Sequence, residues 1–217
     1  ALGNPATTGN QKGDLFGGDT TATALGLQLR ATNADIFAGI GFGAEVSSVQ
    51  DGADAHVSGS NAHFGMQDGS ALTQAYLTYG MDSINTSAKI GRQTLPKSLS
   101  PFAYSENWNV FENTFDGILV VNTDISNTVL VGAWVYNANV NAASALNYGA
   151  MDNFDHLNED RGLFMLTAKN NSIENLTLTG SWYYGNDYAT NTDDALNILW
   201  ADAQYNMDMF NIGLQGG

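Results

Sequence analysis

Ile36-Phe37-Ala38-Gly39-Ile40-Gly41-Phe42-Gly43-Ala44-Glu45-Val46-Ser47 alternates in character at every step. Ile36, Ala38, Ile40, Phe42, Ala44 and Val46 share one parity, and Phe37, Gly39, Gly41, Gly43, Glu45 and Ser47 share the other. Side chains in a strand point to opposite faces in turn, so a sustained period of two marks a strand that helical spacing cannot imitate. One face suits hydrocarbon; the other, small and polar, suits water. The stretch before it repeats the contrast, with Leu25, Leu27 and Leu29 against Gly26, Gln28 and Arg30. The Gly39-x-Gly41-x-Gly43 spacing is no dinucleotide fingerprint, because it lies inside a strand pattern with no helix after it.

Outward from this stretch, five short polar turns recur: Asn33-Ala34-Asp35-Ile36, Asp82-Ser83-Ile84-Asn85, Asp124-Ile125-Ser126-Asn127, Ser172-Ile173-Glu174-Asn175 and Asn206-Met207-Asp208-Met209. Each joins two alternating stretches: 21–32 with 36–49, 71–80 with 86–95, 115–123 with 128–137, 162–169 with 176–185, and 195–205 with 210–214. The connections between pairs are longer and rich in Gly, Asn and Asp. Short turn followed by long loop, repeated, is the pattern of an antiparallel transmembrane β-barrel, and the stretches are long enough to cross a bilayer when tilted. Ten strands are thereby expected in one domain over residues 1–217. The third pair is apolar on both faces, which fits either a packed loop on its inner side or a subunit interface. Strand-end aromatics (Tyr76, Tyr79, Trp134, Tyr136, Trp182, Tyr184, Trp200, Tyr205, Phe210) are candidates for interfacial girdles.

Only 13% of the residues are charged, about half the share usual in soluble domains. A net charge of −15 with no basic patch broad enough for a phosphate backbone argues against nucleic acid as a partner. Cysteine is absent, so disulfides and thiolate metal sites are excluded. No apolar run approaches the roughly 18 residues of a membrane helix. A soluble β-sandwich also alternates, but its strands would not be joined by connections so unequal in length or be so poor in charge. The turn spacing overlaps that of propeller blades, yet each period holds two strands where a blade holds four.

Lys89, Arg92 and Lys97 fall close together at the entry to a long connection, 94–113, that also carries Glu106 and Glu112 and leads to Asp116. A loop folded into a pore, with carboxylates facing wall-borne Lys and Arg, would make a charged constriction; ordinary solvated strand ends are the plainer reading. Strict alternation from Ala88 and Ile90 puts Arg92 on the lipid side, which requires a bulge, a subunit interface or an early end to the strand. Arg30 and Glu45 have lumen parity and would line the pore wall. In the loop after residue 150, Asp152, Asp155, Asn158, Glu159 and Asp160 offer oxygen ligands for weak Ca²⁺ binding, although the spacing is not that of an EF-hand. An acidic solvated loop explains them as well. The three histidines lie in loops, no hydrolase triad has a local context, and no enzyme is visible.

Ala75-Tyr76-Leu77-Thr78-Tyr79, Lys89-Ile90-Gly91-Arg92-Gln93, a Pro-containing loop and Asn113-Thr114-Phe115-Asp116-Gly117 occur in that order. With the turn Asn122-Thr123-Asp124-Ile125-Ser126-Asn127-Thr128, this set resembles the Campylobacter-type major outer membrane porins. The likeness is carried by residues 71–137 and elsewhere by hairpin order. It implies an eighteen-stranded homotrimeric barrel in the bacterial outer membrane, in contact with its lipid and passing small hydrophilic solutes and ions without a cofactor. In that family the loop after the Gly-Arg-Gln strand folds inward, which would make 94–113 the constriction loop. Ten strands and an ending at Leu214-Gln215-Gly216-Gly217 depart from that pattern; the expectation is an incomplete portion lacking the opening strand and the later ones, with a true ten-stranded barrel as the alternative. The rival of a different class is a secreted or surface β-rich adhesive protein with Ca²⁺ on its acidic loops. A barrel dedicated to one substrate is a third reading.

Overall fold

Successive alternating stretches pair antiparallel into a single sheet in the computed structural model, which describes residues 24–51, 69–106, 111–139, 154–159, 161–187, 194–207 and 209–217. The strands are β1 (Ala24–Phe37), β2 (Ile40–Asp51), β3 (Gly69–Met81), β4 (Thr86–Gln93), β5 (Phe115–Asn122), β6 (Thr128–Asn139), β7 (Phe154–His156), β8 (Leu163–Ile173), β9 (Leu176–Gly185), β10 (Leu196–Met207) and β11 (Phe210–Gly216). Ten of them follow one another in chain order across the sheet, and the short β7 pairs with the far end of β6, beyond the stretch that β8 occupies. Among the described residues β1 and β11 pair on one side only.

Burial in this sheet is inverted relative to a soluble sandwich. One face exposes Leu29, Val46, Leu77, Ile90, Leu166, Leu199 and Leu214, with Leu77 58% and Ile90 53% accessible. The other face buries polar groups, among them Glu45, Ser47, Thr73, Gln74 and Ser181. Soluble monomers rarely expose a continuous apolar surface of this extent. Lipid-facing strands must do so, with their small and polar alternates turned inward.

The third hairpin shows why its sequence is apolar on both sides. Ile118 and Leu130 face outward, while Phe115, Leu119, Val131, Ala133 and Val135 join an inner core with Met165 and Tyr183. Leu95, Leu99 and Ala103, from the segment after β4, pack into that core. Of the two readings open for this pair, the packed loop is the one observed.

Four short-turn ends share one backbone device. Gly39, Asn85, Asn127 and Asn175 have φ of 80°, 43°, 55° and 63°, a left-handed conformation that Gly and Asn adopt at least cost. Their carbonyls accept N–H bonds from the neighbouring hairpin, from Gly80 (3.0 Å), Thr123 (2.9 Å), Asn171 (2.9 Å) and Asn206 (2.8 Å) respectively. The polar rim thus links each hairpin to the next. Asp208 of the fifth turn lies outside the described residues.

The first turn corrects the expectation. The chain reverses at Ala38 and Gly39, both at positive φ, with Phe37 paired to Ile40, the geometry of a two-residue primed turn. Asn33-Ala34-Asp35-Ile36 lies within β1, at an irregularity between Asn33 and Phe37. Its polar side chains support the turn from there: Asn33 Oδ1 accepts from the Asp35 N–H (3.1 Å), and Asp35 Oδ1 from the Gly39 N–H (3.2 Å).

Candidate functional site

The inner parity of β2 builds the polar centre. Glu45 stands opposite Arg30 on β1 and Gln74 on β3. A bulge at Thr73 breaks the register there, so that Thr73 and Gln74 both turn inward while Leu72 faces out with Val46. Strict alternation along β3 would put Thr73 on the face of Ala75, Leu77 and Tyr79, outward; the bulge re-aims it. Glu45 is 3% exposed. Its Oε1 accepts from Thr73 Oγ1 (2.8 Å) and Gln28 Nε2 (3.3 Å), and its Oε2 from Gln74 Nε2 (3.0 Å) and Arg30 Nε (2.7 Å). Arg30 Nη2 pairs with the same oxygen. Ser47 shares a hydrogen bond with Thr73 (2.7 Å) and accepts one from Gln28 (3.1 Å). A buried charge needs this density of donors.

Beside this network Tyr76 fits between two glycines, Gly43 on β2 and Gly91 on β4. A Cβ at Gly43 would collide with the Tyr76 ring, so the small residue of lumen parity provides the room for the aromatic. Lys89 lays its ammonium on that ring, 3.8 Å from the centroid. Arg30, Glu45, Lys89 and Glu112 line one cavity of about 500 Å³, with Gln28, Gln74 and Tyr76 in its wall. Gln28, Thr73 and Gln74 were not expected at a site from the sequence, and Tyr76 was expected in a girdle; only the glycine opposite Tyr76 hints at its inward position.

The segment 94–106 lies against the inner face of β5 to β10. Phe102 packs edge-on to Tyr183 (5.5 Å) and Trp200 (5.1 Å), and its N–H donates to the Tyr183 hydroxyl (3.1 Å). Ser105 closes the segment on Leu95, its N–H donating to the Leu95 carbonyl (2.8 Å) and its Oγ accepting from the Leu95 N–H (3.0 Å). Tyr76 and Trp200 therefore face inward and leave the expected girdles. Trp134 with Tyr136 and Trp182 with Tyr184 remain as outer pairs, 5.5 and 5.7 Å between rings.

The expected constriction set divides. Lys89 and Glu112 reach the cavity with Arg30 and Glu45. Arg92 and Asp116 do not: they pair directly across β4 and β5 on the parity of Ile90 and Ile118, the outer face. There Arg92 Nε and Nη2 donate to the two Asp116 oxygens (2.7 and 3.0 Å), and Nη1 to the Leu72 carbonyl (3.0 Å). Asn137 also donates to Asp116 (3.1 Å), and the Phe154 ring stacks on the guanidinium at 3.3 Å. The awkward outward position that alternation demanded is real, and a bidentate partner with an aromatic cover makes it tolerable. Gly91, at φ 117°, has no space for a Cβ against the Ala75 carbonyl, and the buried Gln93 amide donates to the Lys89, Gly91 and Gly117 carbonyls. Lys97 sits over Tyr104 at 4.7 Å, and the Glu106 N–H donates to Asn113 Oδ1 (2.7 Å).

Of the Ca²⁺ candidates, Asp152 and Asp160 lie outside the described residues. Asp155 is in β7, and Asn158 and Glu159 form the turn after it. The Asn158 amide donates to the Asn186 (2.8 Å) and Gly162 (3.3 Å) carbonyls, clamping that loop. Among the described residues no three acidic or histidine side chains gather into a metal-sized group.

An apolar outer face, a polar inner face and a segment lying against the inner wall define the fold of the outer-membrane porin barrels. Solved structures of that class match this chain. They include Pseudomonas aeruginosa OccD3 (OpdP), with 12% identity, a TM-score of 0.62, and 91% of this chain covered against 41% of that one. Acinetobacter baumannii OccAB2 is 19% identical with a TM-score of 0.60, covering 88% of this chain and 49% of its own. Pseudomonas aeruginosa OpdK, solved with vanillate, is 13% identical with a TM-score of 0.53, at 88% and 60% coverage. The chain thus spans about half the length of the structures it resembles. No family model and no curated protein matches the sequence.

Proposed function

We propose that the chain is part of an outer-membrane porin through which ions and small hydrophilic solutes diffuse passively. The observation that carries this reading is the polar cavity of about 500 Å³ where wall-borne Arg30, Lys89 and Glu45 meet Glu112 of the inward segment, behind a face fit only for lipid. Solutes would be sorted there by size and by the local field. Residues 94–113 serve as the constriction loop in this reading, supported by the docking of Leu95, Leu99 and Phe102 on the inner wall. The ordered motifs of residues 71–137 favour a protein of the Campylobacter type, with further strands between β11 and β1 and a trimeric assembly. Unpaired strand edges cannot face hydrocarbon, so both edges need partners in the whole barrel. The test is planar-bilayer recording with the full-length protein folded in detergent: stepwise conductance is expected. Folded protein that yields no channels overturns the reading.

A further inference from the structure

Two charges in the cavity are left over after the fold has made its own pairings. Glu45 is buried and takes Arg30, so those two cancel where they stand. Lys89 has its ammonium on the Tyr76 ring, 3.8 Å from the centroid. Glu112 comes from the connection that returns to β5 and is exposed. Among the described residues neither Lys89 nor Glu112 has an ion-pair partner, and both line the same cavity of about 500 Å³. Tyr76 stands between Gly43 and Gly91, so the position of Lys89 is set by the wall and is not that of a freely swinging side chain.

A simple cation drawn to Glu112 meets the repulsion of Lys89, and a simple anion drawn to Lys89 meets that of Glu112. A solute carrying both charges meets neither penalty and gains both attractions, which is discrimination by repulsion as much as by contact. The cavity lies within the size range that encloses small organic ligands. Resting on the channel reading above, we propose that Lys89 and Glu112 form a dipolar selectivity site for small zwitterions. The solute carboxylate lies at Lys89 and its ammonium at Glu112. Gln28 and Gln74, which line the same cavity, supply neutral hydrogen-bonding groups beside it.

The test is solute flux into vesicles carrying the full-length protein, using four solutes of one skeleton: 4-aminobutyrate, butyrate, butylammonium and butyramide. The wild type is expected to pass 4-aminobutyrate in preference to the other three. Lys89→Met and Glu112→Gln are each expected to lower the 4-aminobutyrate to butyramide ratio about two- to five-fold, the scale of one solvent-exposed charge contact. Lys89→Met should also raise butylammonium flux, and Glu112→Gln butyrate flux. Glu174→Gln, on the short-turn rim, should change none of these. Unaltered ratios in both cavity variants, with butyramide still passing, would overturn the zwitterion site and leave the channel standing. Vesicles closed even to butyramide would remove the channel reading, and this proposal with it.

Discussion

Replacing Glu45 by Leu is expected to destabilise the protein by about 2–4 kcal/mol, whereas Arg30→Met costs about 1 kcal/mol. The difference follows from where the two partners sit. Glu45 is 3% exposed and Arg30 58%. Removing the carboxylate strands the Gln74 amide, a buried donor, at about 1–3 kcal/mol, and leaves Thr73 with Ser47 and the long bond to the residue-45 carbonyl (3.4 Å). The freed guanidinium simply turns to water and adds little. Removing Arg30 leaves the carboxylate with three neutral donors, Gln28, Thr73 and Gln74, so the loss is near that of an exposed ion pair. In the double variant the coupling should be about 1 kcal/mol or less. Urea unfolding in detergent micelles, followed by tryptophan fluorescence, reads all three. Arg30→Met costing as much as Glu45→Leu would refute the view that the neutral donors, more than the arginine, hold this carboxylate in place.

Gly43→Val should displace the Tyr76 ring and with it Lys89, at an overpacking cost of about 1–3 kcal/mol; faster acylation of Lys89 by an amine reagent reports the released ammonium, and an unchanged rate counts against the platform. Phe102→Ala removes both edge-on contacts, each worth about 0.5–1.5 kcal/mol. It should loosen segment 94–106, seen as roughly ten-fold faster protease cleavage within it, whereas a wild-type rate would place its anchorage elsewhere. Arg92→Lys cannot reproduce the two-pronged bond to Asp116 and is expected to cost about 1–2 kcal/mol in the same unfolding assay. Equal stability would mean the pair adds nothing on the outer face.

The strands were legible because a sheet with one apolar and one polar face carries a period of two, and β9, from Leu176 to Gly185, follows it without a break. Reading failed where the backbone departs from ideal pleating. The bulge that brings Thr73 beside Gln74 changes the facing of Ala71 and Leu72 without any Gly or Pro to announce it. Asn33 and Asp35 carry the strongest turn chemistry of the first hairpin, yet they cap the reversal from the side and leave Ala38 and Gly39 to make it. β7, from Phe154 to His156, was hidden because three residues of a polar loop leave no periodicity to detect. At the site, alternation placed Arg30 and Glu45 together and gave Arg92 its outward position. The split of the basic cluster was written in the spacing, because Lys89 and Arg92 are three residues apart and so take opposite faces although they share one motif.

That split follows from a division of labour along the inner wall. On β1 to β4 the inner residues include Gln28, Arg30, Glu45, Ser47 and Gln74, bonded to one another, and Lys89, on the Tyr76 ring. On β5 to β9 most are apolar, Phe115, Leu119, Val131, Val135, Met165 and Tyr183, with Thr167 and Ser181 bonded to each other among them (2.7 Å). A segment that must cross the inside of a barrel gains its stability from apolar burial, so it can dock only where the wall offers Leu119 and Val131 and not where the wall offers Glu45. A solute path needs the opposite surface. The two requirements exclude each other at any one place, and the chain meets them on adjoining arcs of the same sheet. It follows that the proposed path runs off-centre, along β1 to β4. Making the apolar arc polar, as with Val131→Asp, would act on flux by dislodging segment 94–106 and widening the opening, and would leave the preference set at Lys89 weaker but unreversed.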